Sequence, residues 1–317
     1  MIEIISLPEK NDVEKENKDY KFGCFETIHV RPTQEDALAW CVLEKNTLTN
    51  LTPQEIGKRL WTTYKQLDEE VRSLSEKSGT TASTTIYDGC CSLITATLAD
   101  AAAFLVSYDP QGHITGVTRL NSLTHKPNLR SEQIRVKKQG GFITYDGFAH
   151  RVNGILAVSR AIGDFGIRGI NKAEKLISSN ATIDITNLDA LLAQKLQIIT
   201  TCDGFTDAAR GETKAEHENY LARALSSLNQ GKPGQKTEKE IAKHLVQTAK
   251  SRSWDNISVA IQTITSGQPI LLGVYDGHGG SQTSHYVAQH IVNIFIKQCA
   301  LSPAEFINQP FSTDCPY

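Results

Sequence analysis

Ile270-Leu271-Leu272-Gly273-Val274-Tyr275-Asp276-Gly277-His278-Gly279-Gly280 decides how the chain is read. An apolar run of strand length stops at an aspartate. A turn with three glycines follows, then a helical pattern of Tyr286, Val287, Ile291, Ile294 and Phe295. Glycine lets the backbone take φ > 0 and come close to a ligand. The arrangement gathers a carboxylate, a backbone carbonyl and an imidazole at a strand end. That suits a hard metal ion holding a phosphate. An isolated Asp-Gly is more often a plain turn. Asp-Gly-His-Gly-Gly after a buried strand is far more specific.

Asp-Gly also occurs at residues 88, 146 and 203. Asp88 and Asp146 sit between short alternating strands and are assigned to hairpins. Asp203 ends an apolar run, as Asp276 does, and Asp207 follows it by four residues. Asp255 precedes a strand, and Glu35-Asp36 lie beside an apolar stretch. Acids brought together at strand ends repel one another unless cations intervene. Oxygen-only ligands suit Mg²⁺ or Mn²⁺. The sequence by itself leaves open whether these ends converge.

The 317 residues are 39% apolar and include 22 glycines, ordinary values for a globular chain. The net charge of −2 gives no reason to expect a nucleic-acid partner. Seven cysteines, with one adjacent pair (Cys90-Cys91) and no Cys-x-x-Cys, fit neither a disulfide framework nor a zinc site. A reducing compartment, the cytoplasm, is expected. No apolar run reaches the roughly 18 residues of a membrane helix, and Met1 to Lys10 do not read as a signal peptide. No membrane partner is expected.

Residues 9–21 are dense in Lys, Glu and Asp, so 1–21 read as a flexible leader and 22–317 as one domain. Phe22 to Glu44 holds two strand-like pieces. Thr52, Pro53 and Glu55 open a helix with a capping box. Its stripe of Ile56, Leu60, Tyr64, Leu67, Val71 and Leu74 predicts a helix ending near Gly79. Strands are expected over 80–87, 91–98 and 104–108, a hairpin around Asp146, and a strand over 196–201. Helices are expected over 214–229 and 238–250, the second capped by Thr237 with Glu240. Ile257 to Ile264 reads as a last strand before the opening stretch. Strands and helices cluster rather than alternate, which favours antiparallel α+β.

Further motifs carry a resemblance. Arg31-Pro32-Thr33-Gln34-Glu35-Asp36-Ala37, Gly79-Thr80-Thr81-Ala82 and His125-Lys126-Pro127 belong to it. So do Arg151-Val152-Asn153-Gly154 through Ser159-Arg160-Ala161-Ile162-Gly163-Asp164, Cys202-Asp203-Gly204-Phe205-Thr206-Asp207 and Asp255-Asn256-Ile257-Ser258-Val259. With Asp276-Gly277-His278-Gly279-Gly280, the set resembles the PPM (type 2C) metal-dependent Ser/Thr protein phosphatases over roughly residues 22–299. The resemblance implies a four-layer α/β/β/α sandwich of two antiparallel sheets flanked by helices. It implies two Mg²⁺ or Mn²⁺ ions, one held by Asp203, Asp255 and Asp276, the other by Glu35, Asp276 and the Gly277 carbonyl. Asp36 would orient water at the metals, Arg31 would clamp phosphate, and His278 would protonate the leaving oxygen. The implied partner is a phosphorylated protein substrate. Alternatives are a weak or inactive binding module that keeps the fold, and a phosphatase acting on a non-protein phosphoester.

Two departures stand out. Thr124 occupies the place before His-Lys-Pro where the family has an Asp feeding a third ion, for which Asp207 is the other ligand. Ala99-Asp100-Ala101-Ala102-Ala103 replaces a Gly-Asp-Ser-Arg-Ala strand and has no functional account. In the family the Asp-Gly-His-Gly-Gly strand and its helix follow the Glu-Asp strand directly. Here they form a moved module, 270–299, after the last strand. Thr265 to Pro269 is a hairpin-length loop, and the module is expected to join the domain through that hairpin or by a swap between two chains.

Overall fold

The structure, a computed structural model, describes residues 2–4, 12–168, 176–191, 195–228, 236–311 and 315–316. In chain order the elements begin with strands β1 (Ile2–Ile4), β2 (Asp12–Asn17), β3 (Phe22–Thr27) and β4 (Ala37–Val42), and helix α1 (Pro53–Glu70). Strands β5 (Gly79–Thr80), β6 (Ala82–Tyr87), β7 (Ser92–Leu98), β8 (Ala102–Tyr108) and β9 (Ile114–Arg119) follow. Then come α2 (Arg130–Lys138), β10 (Ile143–Tyr145), β11 (His150–Val152), β12 (Ile162–Gly163), β13 (Thr182–Asn187) and β14 (Lys195–Thr201). The last third holds α3 (Asp203–Thr206), α4 (Lys214–Leu228), α5 (Glu238–Lys250), β15 (Ile257–Thr263), β16 (Ile270–Tyr275), β17 (Gly277–His278), α6 (Gln282–Ala300) and α7 (Pro303–Ile307).

Two six-stranded antiparallel sheets face each other. The first has the order β1-β4-β16-β6-β7-β13, the second β2-β3-β15-β14-β8-β9. Alternation along each strand assigns its side chains to layers. On β16, Leu272 and Val274 point between the sheets, where they join Phe22, Leu38, Trp40, Ile198 and Ala260. Leu271 and Tyr275 point the other way, onto α1 and α6 through Leu60, Tyr64, Ile291 and Phe295. Across the second sheet, Phe104, Ile199 and Val259 meet Leu221, Leu245 and Val246 of α4 and α5. The result is the expected four-layer α/β/β/α sandwich. A polar pair crosses the middle layer without loss, because the buried Trp40 indole donates to Gln262 Oε1 at 2.7 Å.

The stretch 270–275 is a central strand. Leu272 pairs with Trp40 on one side and Thr85 on the other, within this chain. The expected hairpin between β15 and β16 does not form. The two strands lie in different sheets, so residues 264–269 cross the sandwich instead. The same happens between β3 and β4 and between β7 and β8.

The flexible leader is corrected. Asp12–Asn17 is an edge strand on β3, with Val13 buried. Its charges face α5: Glu14 lies 3.2 Å from Lys243 and 3.7 Å from Lys239, and Asp12 lies 3.8 Å from Lys250. Charge on an edge strand also discourages pairing with other chains. Residues 2–4 pair with β4, and residues 5–11 lie outside the described residues.

Helix α1 begins as expected, with Thr52 and Glu55 in a reciprocal capping box. It ends earlier, at Glu70, with one 3₁₀ turn over Val71–Ser73. Ser75 Oγ accepts the backbone N–H groups of Lys77 and Ser78, which draws the chain out of the helical ladder. Leu74 is left partly exposed. The hairpins at Asp88 and Asp146 form, each carboxylate accepting backbone N–H groups inside its own turn.

Candidate active site

The sheet crossings carry the acids to one edge of the sandwich. Glu35 and Asp36 immediately precede β4, and Asp276 immediately follows β16, the antiparallel neighbour of β4. Asp203 lies just past the end of β14, Asp255 just before the start of its partner β15, and Asp100 between β7 and β8. Antiparallel pairing sets these starts and ends side by side.

The Asp276 carbonyl is pinned by the Thr81 N–H at 2.9 Å and Thr80 Oγ1 at 3.0 Å. Its carboxylate accepts the Asp203 N–H at 3.4 Å. Donor atoms of Asp36, Cys202 and Asp276 lie within 4.8 Å of one another. Ser258 Oγ donates to Asp36 at 2.7 Å. Burial pushes the Asp36 carboxyl up to about 8, against the Ser258 bond and with Asp255 and Glu26 adding to it. Burial also drives Asp203 and Asp276 well above the carboxylate range, and neighbouring acids drive them further. Carboxyls so raised are short of positive charge. Cys202 already donates to the Asn256 carbonyl at 3.4 Å and accepts the Ser258 N–H at 3.2 Å. The donors left for an ion are therefore hard oxygens, a set that fits Mg²⁺ or Mn²⁺.

Gly277 shows why the turn needs glycine. A Cβ there would stand 2.2 Å from the Glu35 carbonyl oxygen and 2.7 Å from Ser284 Oγ. That close approach lets the Gly277 N–H donate to Glu35 O at 3.1 Å. Glu35 is thereby fixed beside Asp276 through its backbone, and its carboxylate accepts from Thr33 Oγ1 at 3.4 Å.

Arg31 ion-pairs with Asp255. His278 Nε2 lies 2.8 Å from Asp164 Oδ2. Burial disfavours the charged ring, but Asp164 outweighs it, and the imidazole pKa is raised. Asp164 is fully buried, adopts φ +57° and donates its N–H to Ser78 O at 3.0 Å. Its carboxylate lies over Gly79, where a Cβ would come within 2.2 Å of Oδ2.

Sequence reasoning quoted Asp164 only inside a motif and gave it no role, since its partner lies 114 residues away. Asn256 likewise stands in the sequence only as part of a motif, with no role of its own. It stitches the site together, donating to the Ile28 and Thr33 carbonyls at 3.0 Å each and accepting the Glu35 N–H at 3.1 Å. Asp100 was also passed over. The Ala99–Asp100 turn is tied to His125 by two bonds, Ala99 N–H to Nδ1 at 3.1 Å and His125 N–H to Ala99 O at 2.9 Å. Lys126 Nζ then lies 3.6 Å from Asp100, 3.9 Å from Asp207 and 3.9 Å from Glu212. Asp207 thus shares the Lys126 ammonium with both Asp100 and Glu212. Asp207 keeps 56% of its side chain exposed. Its carboxyl is raised to about 6 by partial desolvation and by Asp100, against the pull of Lys126.

The sequence profile of the family described as "Protein phosphatase 2C" matches residues 36–257, more than half of the chain. The chain belongs to the protein phosphatase 2C family. The match ends before β16. This phosphatase 2C chain is 30% identical over 228 residues to "Probable protein phosphatase 2C 57" of Oryza sativa subsp. japonica, covering 69% of this chain and 55% of the relative. It is 30% identical over 207 residues to "Protein phosphatase 1F" of Homo sapiens, covering 65% and 40%. It spans about half the length of these curated relatives. A solved phosphatase from a pathogenic strain of Toxoplasma gondii shares the fold at TM-score 0.56 and 18% identity, covering 83% of this chain and 98% of that one. A sex-determining protein of C. elegans does so at TM-score 0.52 and 18% identity, covering 84% and 65%.

Proposed function

We propose that this chain hydrolyses phosphoserine and phosphothreonine in proteins, using two Mg²⁺ or Mn²⁺ ions. The observation that carries the reading is the convergence of Asp36, Asp203 and Asp276, all with raised carboxyls, at the edge where Arg31 meets Asp255. Asp203, Asp255 and Asp276 would hold one ion, and Glu35, Asp276 and the Gly277 carbonyl the other. Bound there, the ions neutralise phosphate charge and lower the pKa of water. Asp36 orients the attacking water, and Ser258 fixes Asp36. Arg31 turns from Asp255 to the phosphate oxygens, which its planar fork matches. His278, whose charged form Asp164 favours, gives a proton to the leaving serine or threonine oxygen. Asp207 would be the ligand for a third, weaker ion, at a place where Lys126 already supplies positive charge.

The module of β16, β17 and α6 is read as the family's strand-helix unit moved along the chain. Its support is that β16 lies between β4 and β6 while the family match stops at residue 257. Cytoplasmic placement belongs to the same proposal and rests on the cysteine pattern.

The test is phosphate release from a phosphothreonine peptide with and without Mn²⁺, in the wild type and in Asp276→Asn. Mn²⁺-dependent turnover that Asp276→Asn abolishes, with the circular dichroism spectrum unchanged, is expected. Near-wild-type turnover of Asp276→Asn at saturating Mn²⁺ would sink the dinuclear reading.

A further inference from the structure

Trp254 is 81% exposed and Val30 is 55% exposed. Trp254 precedes the acid Asp255, and Val30 precedes Arg31. The segments that carry them are bound together on both sides of these residues. His29 Nε2 meets the Ser253 carbonyl at 3.1 Å, and Arg31 pairs with Asp255. Asn256 Nδ2 closes the same seam through the Ile28 and Thr33 carbonyls. Each apolar residue therefore lies between two cross-links, at the rim of the site and one residue from a group that handles phosphate or metal.

We infer that Val30 and Trp254 form an apolar lip that seats an apolar side chain flanking the phosphoresidue of the substrate protein. The inference rests on the phosphatase reading and adds a sequence preference to it. Consecutive residues of an extended peptide are about 3.8 Å apart. The Cα of a substrate residue next to the phosphoresidue is thus one backbone step from that residue's Cα, the same step that separates the Cα atoms of Val30 and Arg31. An exposed indole on a fixed backbone loses little freedom on binding, and tryptophan is the residue type most enriched among side chains that dominate binding. The other two tryptophans, Trp40 and Trp61, are fully buried, so solvent-sensitive indole emission comes from Trp254.

Two readouts test this. Turnover is measured on phosphothreonine peptides that differ only in the flanking residue, leucine or serine, and on p-nitrophenyl phosphate. Indole emission is followed during titration with the same peptides at zero turnover, without metal. The wild type should favour the leucine peptide, chiefly through KM. Trp254→Ala and Val30→Ser should lower kcat/KM for that peptide about tenfold, the scale of a lost interface anchor, and lower it much less for the serine peptide and the aryl phosphate. Ile307→Ala, an exposed apolar change on α7, should keep the leucine preference. The leucine peptide should shift wild-type emission to the blue, and Trp254→Phe should lose the shift.

Active enzyme with no flank preference and no emission shift overturns the lip and leaves the phosphatase reading standing. A leucine-dependent shift without any Mn²⁺-dependent turnover removes the phosphatase reading and overturns the assignment of the lip's occupant as a substrate, leaving only an apolar peptide site. A blue shift that grows with protein concentration in the absence of peptide marks a second copy as the occupant and overturns the substrate assignment.

Discussion

Leu272→Ala tests whether β16 is a structural strand. Leu272 is fully buried and points between the two sheets. Its backbone is held on both sides, against Trp40 and Thr85. The substitution removes three carbons, worth roughly 2.5 kcal/mol at about 0.8 kcal/mol per buried CH₂. Flanking strands hold the cavity open, and a residual cavity adds about 24 cal/mol per Å³. The expected loss is therefore about 3–4 kcal/mol, near the middle of the range for such changes. Urea unfolding followed by far-ultraviolet circular dichroism reads it as a lower midpoint at unchanged slope. A loss below about 1 kcal/mol would refute the central-strand placement, because surface changes cost about that little. The same titration at two protein concentrations settles where the module comes from. A strand supplied within the chain gives one midpoint, whereas a swapped strand gives a midpoint that rises with concentration.

Three further outcomes are expected. Metal-free protein should lose stability as pH rises from about 4 towards about 8, since the folded Asp36 carboxyl, raised to about 8, holds a proton that the unfolded chain releases near the ordinary value; Asp36→Asn should flatten that slope, and an unchanged slope in urea midpoints against pH would contradict it. His278→Gln should slow phosphopeptide hydrolysis by roughly 10²–10⁴-fold and p-nitrophenyl phosphate hydrolysis far less, because the aryl group leaves without a proton; equal losses restored by extra Mn²⁺ would mark the histidine as a shaper of the turn. Asn256→Ala should cost about 1–3 kcal/mol by stranding the Ile28 and Thr33 carbonyls and the Glu35 N–H, and should raise the Mn²⁺ concentration needed for half-maximal turnover; unchanged metal dependence would separate that seam from the ion site.

Local signals were readable in the sequence because local physics produces them. Thr52 with Glu55, and Thr237 with Glu240, form the expected capping boxes. Runs that stop at Asp203 and Asp276 are strands that stop there. Pairings between distant residues were not readable. No pattern in residues 270–275 says that they enter between β4 and β6, or that the link from β15 changes sheets. β2 reads as a leader in sequence because its run of Lys, Glu and Asp offers little to bury, whereas in the fold Asp12, Glu14 and Glu16 pair with lysines on α5. Helix α2 escaped notice because its buried positions are Glu132 and Val136, and a buried acid gives no apolar stripe. Glu132 is tolerated there because Arg135 and Arg160 pair with it.

The crossings between sheets have a mechanical consequence. Asp36 and Asp276 hang from strands of one sheet, Asp203 and Asp255 from strands of the other. Any ion that takes oxygen from both pairs is a rivet through the two plates of the sandwich. Its grip depends on how the plates are registered, and that register is fixed deep in the middle layer by contacts such as Trp40 on Gln262. A side-chain change in that layer, remote from any substrate, would thus be felt first as slack at the rivet. Cation, in turn, would act as a fastener whose concentration sets how firmly the two halves stay shut.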